Sequence, residues 1–235
     1  MKEKRHILYN SFMTFAVFMT IICLAVTLVL VLVPLYRLAA VHFKLPEKTG
    51  YSLDVIMKNY KVLIRYNMLW GKEPLSFPDF ASSPSGLVHF QDVRQLFKNM
   101  QIMGLLGIPV CYLGYRAGKR MRALEWMKWT CVFTLAVIAV LSVSAVINAR
   151  ATFVFMHKIL FTNVYWAFNA KKDPIILILP EEIFLAAAIE MGVFILIGLA
   201  VLLVRYGQLK STFTKKYKTS GIKKVSSGKD AKSGR

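Results

Sequence analysis

The sequence predicts an all-α integral membrane protein with four transmembrane helices and two outward-facing, partly helical segments. Three observations lead there. Hydrophobic residues make up 56% of the 235 residues, and the mean hydropathy is +0.50. Four long stretches are almost free of charge. The 31 Lys and Arg, set against 12 Asp and Glu for a formal net charge of +19, gather outside those stretches. Soluble domains of this size are rarely so apolar, and disordered chains never are.

The predicted spans are residues 11–36, 99–115, 129–149 and 183–204. A helix needs about 20 apolar residues to cross a hydrocarbon core of ~30 Å. The second span is the shortest and carries Gly104, Gly107 and Pro109. It counts as a span because without it the flanking basic clusters would fall on opposite sides. The N-terminal flank, the link between spans two and three, and the tail together hold 18 cations and three acids. Segments 37–98 and 150–182 hold 13 cations and eight acids. Basic residues favour the cytoplasmic side, so both termini are predicted to be cytoplasmic and the two longer segments to face outward.

This charge distribution follows from membrane insertion and leaves no need for nucleic acid as a partner; no zinc-finger or RNP pattern is present. Residues 1–210 read as a single membrane domain. The tail from Ser211 to Arg235 is rich in Lys, Ser and Gly and is predicted to be disordered and cytoplasmic, next to anionic headgroups. The first apolar run exceeds the 7–15 residues of a signal-peptide core, which predicts an uncleaved anchor. Cys23, Cys111 and Cys131 all lie in spans and read as small packing residues.

In the first outer segment, Ser52 is placed to cap a helix running to about Trp70, with Val55, Ile56, Tyr60, Leu63, Tyr66 and Leu69 at helical spacing. A loop rich in Pro and Ser follows, and a second helix starts near Gly86 and leads into span two. In the second outer segment, Phe153, His157 and Phe161 share a helical face, with Asn163 and Trp166 just beyond. Residues 174–180 are apolar, bounded by Pro174 and Pro180, and too short to span; they predict an interfacial segment or a buried strand.

His89 and His157 lie in different outer segments, each near a span end, so topology puts them on one side. Asp92 follows His89 at helical spacing and is placed to orient its imidazole. Interfacial histidines with satisfied hydrogen bonds are the plainer alternative; His42, just after span one, reads as an interface anchor, and His6 as a solvated residue of the cytoplasmic flank. Glu190 is the one acid well inside a span, which marks it as functional or as a partner for an outer cation. Arg37, Arg116 and Arg150 stand at span ends as anchors; Arg150 or Arg37 is also placed to hold an ester carbonyl or a phosphate. There is no G-x-S-x-G elbow, H-E-x-x-H helix or phosphate-binding loop. Arg94 and Thr162 stand where an H-x4-D acyltransferase motif needs Asp. No metal, nucleotide or other cofactor is expected.

His89-Phe-Gln-Asp92-Val93, then Phe153-x3-His157-x3-Phe161-x-Asn163-x2-Trp166-x-Phe168, then Asp173-x-Ile175-Ile176-x2-Leu179-Pro180, resembles the Lit family of lipoprotein intramolecular transacylases from Gram-positive bacteria. Asn169-Ala170 departs from the Asp-Pro of that pattern. The resemblance implies a multi-pass bacterial cell-membrane enzyme acting on diacylglyceryl-modified lipoproteins among membrane lipids. It moves the sn-2 acyl chain to the α-amine of the same N-terminal cysteine, giving a lyso-form lipoprotein. The two essential histidines of the family map onto His89 and His157. In this scheme His157 takes the amine proton, while His89 steadies the oxyanion and protonates the glycerol oxygen, or the reverse. Asn163 or Trp166 would donate to the carbonyl oxygen. Two other classes remain open at this point: another lipid acyltransferase or phospholipase using the same histidines, and a non-enzymatic scaffold or transporter.

Overall fold

The computed structural model describes the backbone of residues 2–230 and the side chains of residues 3–214. In chain order the helices are α1 (Lys2–Val31), α2 (Val33–His42), α3 (Leu45–Thr49), α4 (Leu53–Asn67), α5 (Pro84–Met121), α6 (Glu125–Leu160) and α7 (Glu181–Asp230). A 3₁₀ turn, Pro174–Ile178, precedes α7, and there is no strand among the described residues. Helices α1, α5, α6 and the 181–214 part of α7 are long and apolar enough to cross a bilayer. The protein is an all-helical, multi-pass membrane protein.

Helix α1 forms the centre. It packs against α5, α6 and α7, and α6 also packs against α7. The α1–α5 contact is close because small residues line it. A Cβ at Gly107 would overlap Thr20, and one at Gly114 would overlap Met13. The Tyr9 hydroxyl donates to the Gly114 carbonyl across the same seam. The glycines that weaken span two as a hydropathy signal are therefore what let α5 approach α1. Pro109 does not end α5.

The first apolar run is broken where the sequence predicts one continuous span. Pro34 has no N–H and crowds the carbonyl four residues back, so α1 stops and α2 restarts after Leu32. Ser52 caps α4 as expected, its Oγ accepting from Val55 N–H at 3.3 Å. The helix ends at Asn67, three residues short of Trp70. At its far end α7 runs on to Asp230, through the tail predicted to be disordered. Once a span has nucleated a helix, each added residue needs only its own backbone bond. The rest of that prediction falls on Ala231 to Arg235, outside the described residues.

Helices α2 to α4 and the turn before α7 cover one end of the bundle, the cap end. Tyr36, Ile56, Leu63, Phe77, Phe80, Phe90, Ile175, Ile178 and Ile183 form its core. Tyr36 stacks on Tyr60 with ring centroids 3.5 Å apart and donates to the Ile178 carbonyl at 2.7 Å. Residues 174–180 are not a strand. Their prolines bound a single 3₁₀ turn whose i, i+3 pair, Ile175 and Ile178, is fully buried in this cap. A Lys48–Glu182 ion pair at 2.9 Å ties α3 to the start of α7.

Helix α5 has 38 residues. At 1.5 Å per residue it is about 57 Å long, well over a hydrocarbon core, so its first turns project into the cap. Gly107→Leu is expected to cost about 1–3 kcal/mol by overpacking the α1–α5 seam. It should lower the unfolding temperature in detergent. Gly192→Leu, in open space on α7, should leave that temperature unchanged.

Candidate active site

The head of α5 is fixed by a buried carboxylate. Ser83 caps the helix, its Oγ accepting from Gly86 N–H at 3.0 Å, and Pro84 occupies the first turn. Asp173 then accepts from both Ser83 N–H, at 2.7 Å, and the Ser83 hydroxyl, at 2.8 Å. An anion at a helix N-terminus is also favoured by the helix dipole. Gly86 leaves the space this needs, since a Cβ there would overlap Asp173 and press on Phe168.

Less than two turns further along, His89 is buried, with 5% of its surface exposed. Phe161 and Phe168 meet its ring edge-on, at centroid distances of 4.9 and 5.4 Å. Its Nδ1 is buried and has no hydrogen-bond partner. A buried, unpartnered ring nitrogen is costly as a purely structural feature.

His157 comes from the last turns of α6 and is half-buried. Its Nδ1 lies 2.8 Å from the Phe153 carbonyl. A carbonyl can only accept, so Nδ1 carries the hydrogen and Nε2 keeps a lone pair. Phe153, at 3.9 Å, and Trp166, at 5.0 Å, hold the ring between them. The His89 and His157 centroids are 6.2 Å apart and their planes differ by 38°. That spacing lets both rings reach one reacting group placed between them.

The loop after α6 fastens the two helices together. Asn163 Nδ2 donates to Asp92 Oδ2 at 2.9 Å, and its Oδ1 accepts from Tyr165 N–H at 3.0 Å. Trp166 Nε1 donates to the Asn163 carbonyl at 3.0 Å. Asn169, part of the dipeptide that departs from the motif, closes an Asx turn by accepting from Lys171 N–H at 2.9 Å. Its carbonyl accepts from Lys172 and Asp173 N–H, which presents Asp173 to Ser83.

Several expected roles change with this geometry. Asp92 gives a carboxylate oxygen to Asn163, while the His89 Nδ1 goes without a partner, so Asp92 acts as a loop anchor. The single N–H of Trp166 is taken within the loop, leaving the second amide hydrogen of Asn163 as the donor on offer. Arg150, Arg37 and Arg116 are all exposed. Glu190 is half-buried on α7. Among the described residues the ion pairs are Lys48–Glu182 and Lys58–Asp79, so its expected pairing with an outer cation is absent. Its neighbour is Tyr60 on α4, whose phenol is pushed well above its ordinary value by burial and by the Glu190 carboxylate.

Sequence reasoning did not single out Ser83, which appeared only as part of a loop, although a Ser-Pro pair ahead of an apolar helix is a cap signal. Among the described residues no three His, Cys, Asp or Glu side chains gather to hold a metal. A cavity of about 650 Å³ lies on the face of α5 opposite His89, lined by Tyr66, Lys72, Gln91, Arg94 and Lys98. Arg94 and Lys98 both donate there to the Gly71 carbonyl, and Arg94 lies over the Tyr66 ring. They tie the end of α4 to α5 and do not face the histidines.

A family model described as lipoprotein intramolecular transacylase Lit matches residues 11–184. The chain is similar to the membrane integral lipoprotein intramolecular transacylase Lit from Bacillus cereus, solved in meso. The identity is 28% and the TM-score 0.85, over 91% of this chain and 99% of that one. Two variants of the Bacillus cereus protein, each with one histidine replaced, also match at 28% identity. The arginine variant has a TM-score of 0.80, over 93% of this chain and 96% of that one. The alanine variant has a TM-score of 0.81, over 91% and 97%. A search of curated protein sequences gives no match.

Asp173→Ala removes the acceptor of Ser83 N–H and one partner of its hydroxyl at the head of α5. Leaving a backbone N–H unpaired in a part-buried site costs about 1–3 kcal/mol at most. The variant should unfold at a lower temperature and turn over more slowly than the parent, as read by thermal unfolding and product formation.

Proposed function

The chain belongs to the lipoprotein intramolecular transacylase Lit family, and from that premise we propose that His89 and His157 together move one acyl chain within a single lipoprotein. The protein is an acyltransferase. The substrate in this reading is a bacterial lipoprotein whose N-terminal cysteine carries an S-diacylglyceryl group. The sn-2 chain passes from its glycerol oxygen to the α-amine of the same cysteine. The observation that carries the reading is the pair of imidazoles 6.2 Å apart, one with its Nε2 lone pair set free by the Phe153 carbonyl and the other with an unpartnered Nδ1.

An α-amine has a reference pKa of about 7.7–8.0, so a mild base suffices to present it as a nucleophile. As the amine attacks the ester carbonyl and the C–N bond forms, His157 Nε2 takes the proton the nitrogen sheds. Negative charge collects on the carbonyl oxygen, and the His89 ring donates an N–H to it, helped by the free amide hydrogen of Asn163. The imidazolium of His157 then gives its proton to the glycerol oxygen as the C–O bond breaks. One proton leaves nitrogen and one reaches oxygen, so both rings return to their starting state. Ester-to-amide exchange is downhill and needs no nucleotide. Amine and ester belong to one molecule, so effective molarities of about 10⁵ M or more are within reach once they are aligned. No acyl-serine enters this scheme, since Ser83 is committed to Asp173 and Gly86.

Topology supports a substrate that stays in the membrane. Helices α5 and α6 each pack on α1 but not along one another, so a lipid-facing gap leads up to the histidines. With the termini cytoplasmic, as the cation distribution favours, the cap end and the site face outward.

His89→Ala and His157→Ala should each abolish lyso-form product in a host that lacks lipoprotein N-acylation, with protein levels unchanged. Mass analysis of one lipoprotein N-terminus reads this directly. Near-normal conversion in either variant contradicts the shared site. An acyl chain drawn from labelled phospholipid contradicts the intramolecular route.

A further inference from the structure

Helix α6 is not continuous. At Asn148 the backbone leaves the helix, with φ −157° and ψ 91°. The segment beyond it, which carries His157, is capped as a new helix. Asn148 Oδ1 accepts from Ala151 N–H at 2.8 Å, the N-cap pattern of a side chain bonding three residues on. The Thr152 hydroxyl donates back to the Asn148 carbonyl at 3.0 Å. Ser144 Oγ and Thr152 Oγ1 are 2.8 Å apart. In a straight helix, residues eight apart are separated by about 12 Å along the axis. The hydroxyl contact therefore means that the chain bends sharply toward the Ser144–Thr152 side.

The bend stands among lipid-facing side chains: Val146 is 87% exposed and Ile147 is 79% exposed. Bare backbone N–H groups are not tolerated in such surroundings, so an interruption there needs a built-in acceptor. Asn148 supplies one. Because α5 and α6 do not pack along their lengths, the course of α6 beyond the bend decides how His157 meets His89.

We propose that Asn148 is a positioning residue for the acyl transfer: its side-chain cap, locked by the Ser144–Thr152 contact, sets the direction in which α6 delivers His157 to His89. The inference rests on the two-histidine site proposed above. At 1.5 Å per residue His157 stands about 13 Å past the hinge, so a change of about 10° in the bend carries its ring about 2 Å. A displacement of that size is enough to cost about a hundredfold in rate.

The test uses the full-length chain reconstituted in lipid with a diacylated lipopeptide, and compares Asn148→Ala, Asn148→Ser, Thr152→Val and His157→Ala. Serine caps helices about as well as asparagine, whereas alanine does not. Asn148→Ala should lower kcat about tenfold or more with KM within about twofold, the pattern of misplaced chemistry and not of lost binding. Asn148→Ser should recover kcat to within about threefold of the parent. Thr152→Val keeps the side-chain shape and only unlocks the bend, so it should lower kcat with the chain fully folded, whatever the yield of Asn148→Ala. Parental kcat in Asn148→Ala, serine no better than alanine, or parental kcat in Thr152→Val overturns the proposal. His157→Ala separates the two levels. Its loss of activity beside a fully active Asn148→Ala removes only the hinge; its full activity removes the site reading and the hinge with it.

Discussion

Two side-chain links hold the two-histidine arrangement in place: Asp173 accepts twice from Ser83, and Asn163 donates to Asp92. Both run from the loop after α6 to the first turns of α5, on either side of His89 in sequence. They add directional ties to the ring contacts by which Phe161 and Phe168 enclose His89 and Phe168 stacks on Phe90. The buried Asp173 carboxylate is acceptable because two donors and a helix N-terminus surround it. A two-point clasp of this kind defines a position, where a single bond would leave a pivot.

The bilayer explains why the clasp is needed. Within hydrocarbon the backbone must be helical, and a helix directs side chains only to its own neighbours. Here α5 and α6 are not neighbours along their lengths. Residues on both cooperate only at the cap end, to which the head of α5 and the segment of α6 after Asn148 both lead. Aromatic rings of Phe153, Phe161, Trp166 and Phe168 surround the two imidazoles there.

Much of this is legible in the sequence because it is local. Uncharged runs mark the spans, Ser52 marks the start of α4, and the spacing of Phe153, His157 and Phe161 puts them on one face. Topology alone brings His89 and His157 to one end. What stayed hidden depends on contacts between distant segments. Asp92 stands three residues from His89, yet its oxygen goes to an amide 71 positions away. The apolar run at 174–180 fits several conformations until the cap core exists to bury Ile175 and Ile178. The break at Asn148 lies at the end of an apolar run, where hydropathy sees only a span edge. An asparagine followed by a helix is a cap signal, but it reads as one only if the helix is known to restart there.

The central claim is that the two imidazoles act as one unit on a single ester. A double-mutant comparison of rates for His89→Ala, His157→Ala and the combined variant addresses it most directly. Residues that act together lose nearly everything with the first removal. The account predicts that the double variant is no slower than the slower single variant. Losses that multiply, so that the double variant falls by the product of the two single effects, would contradict it.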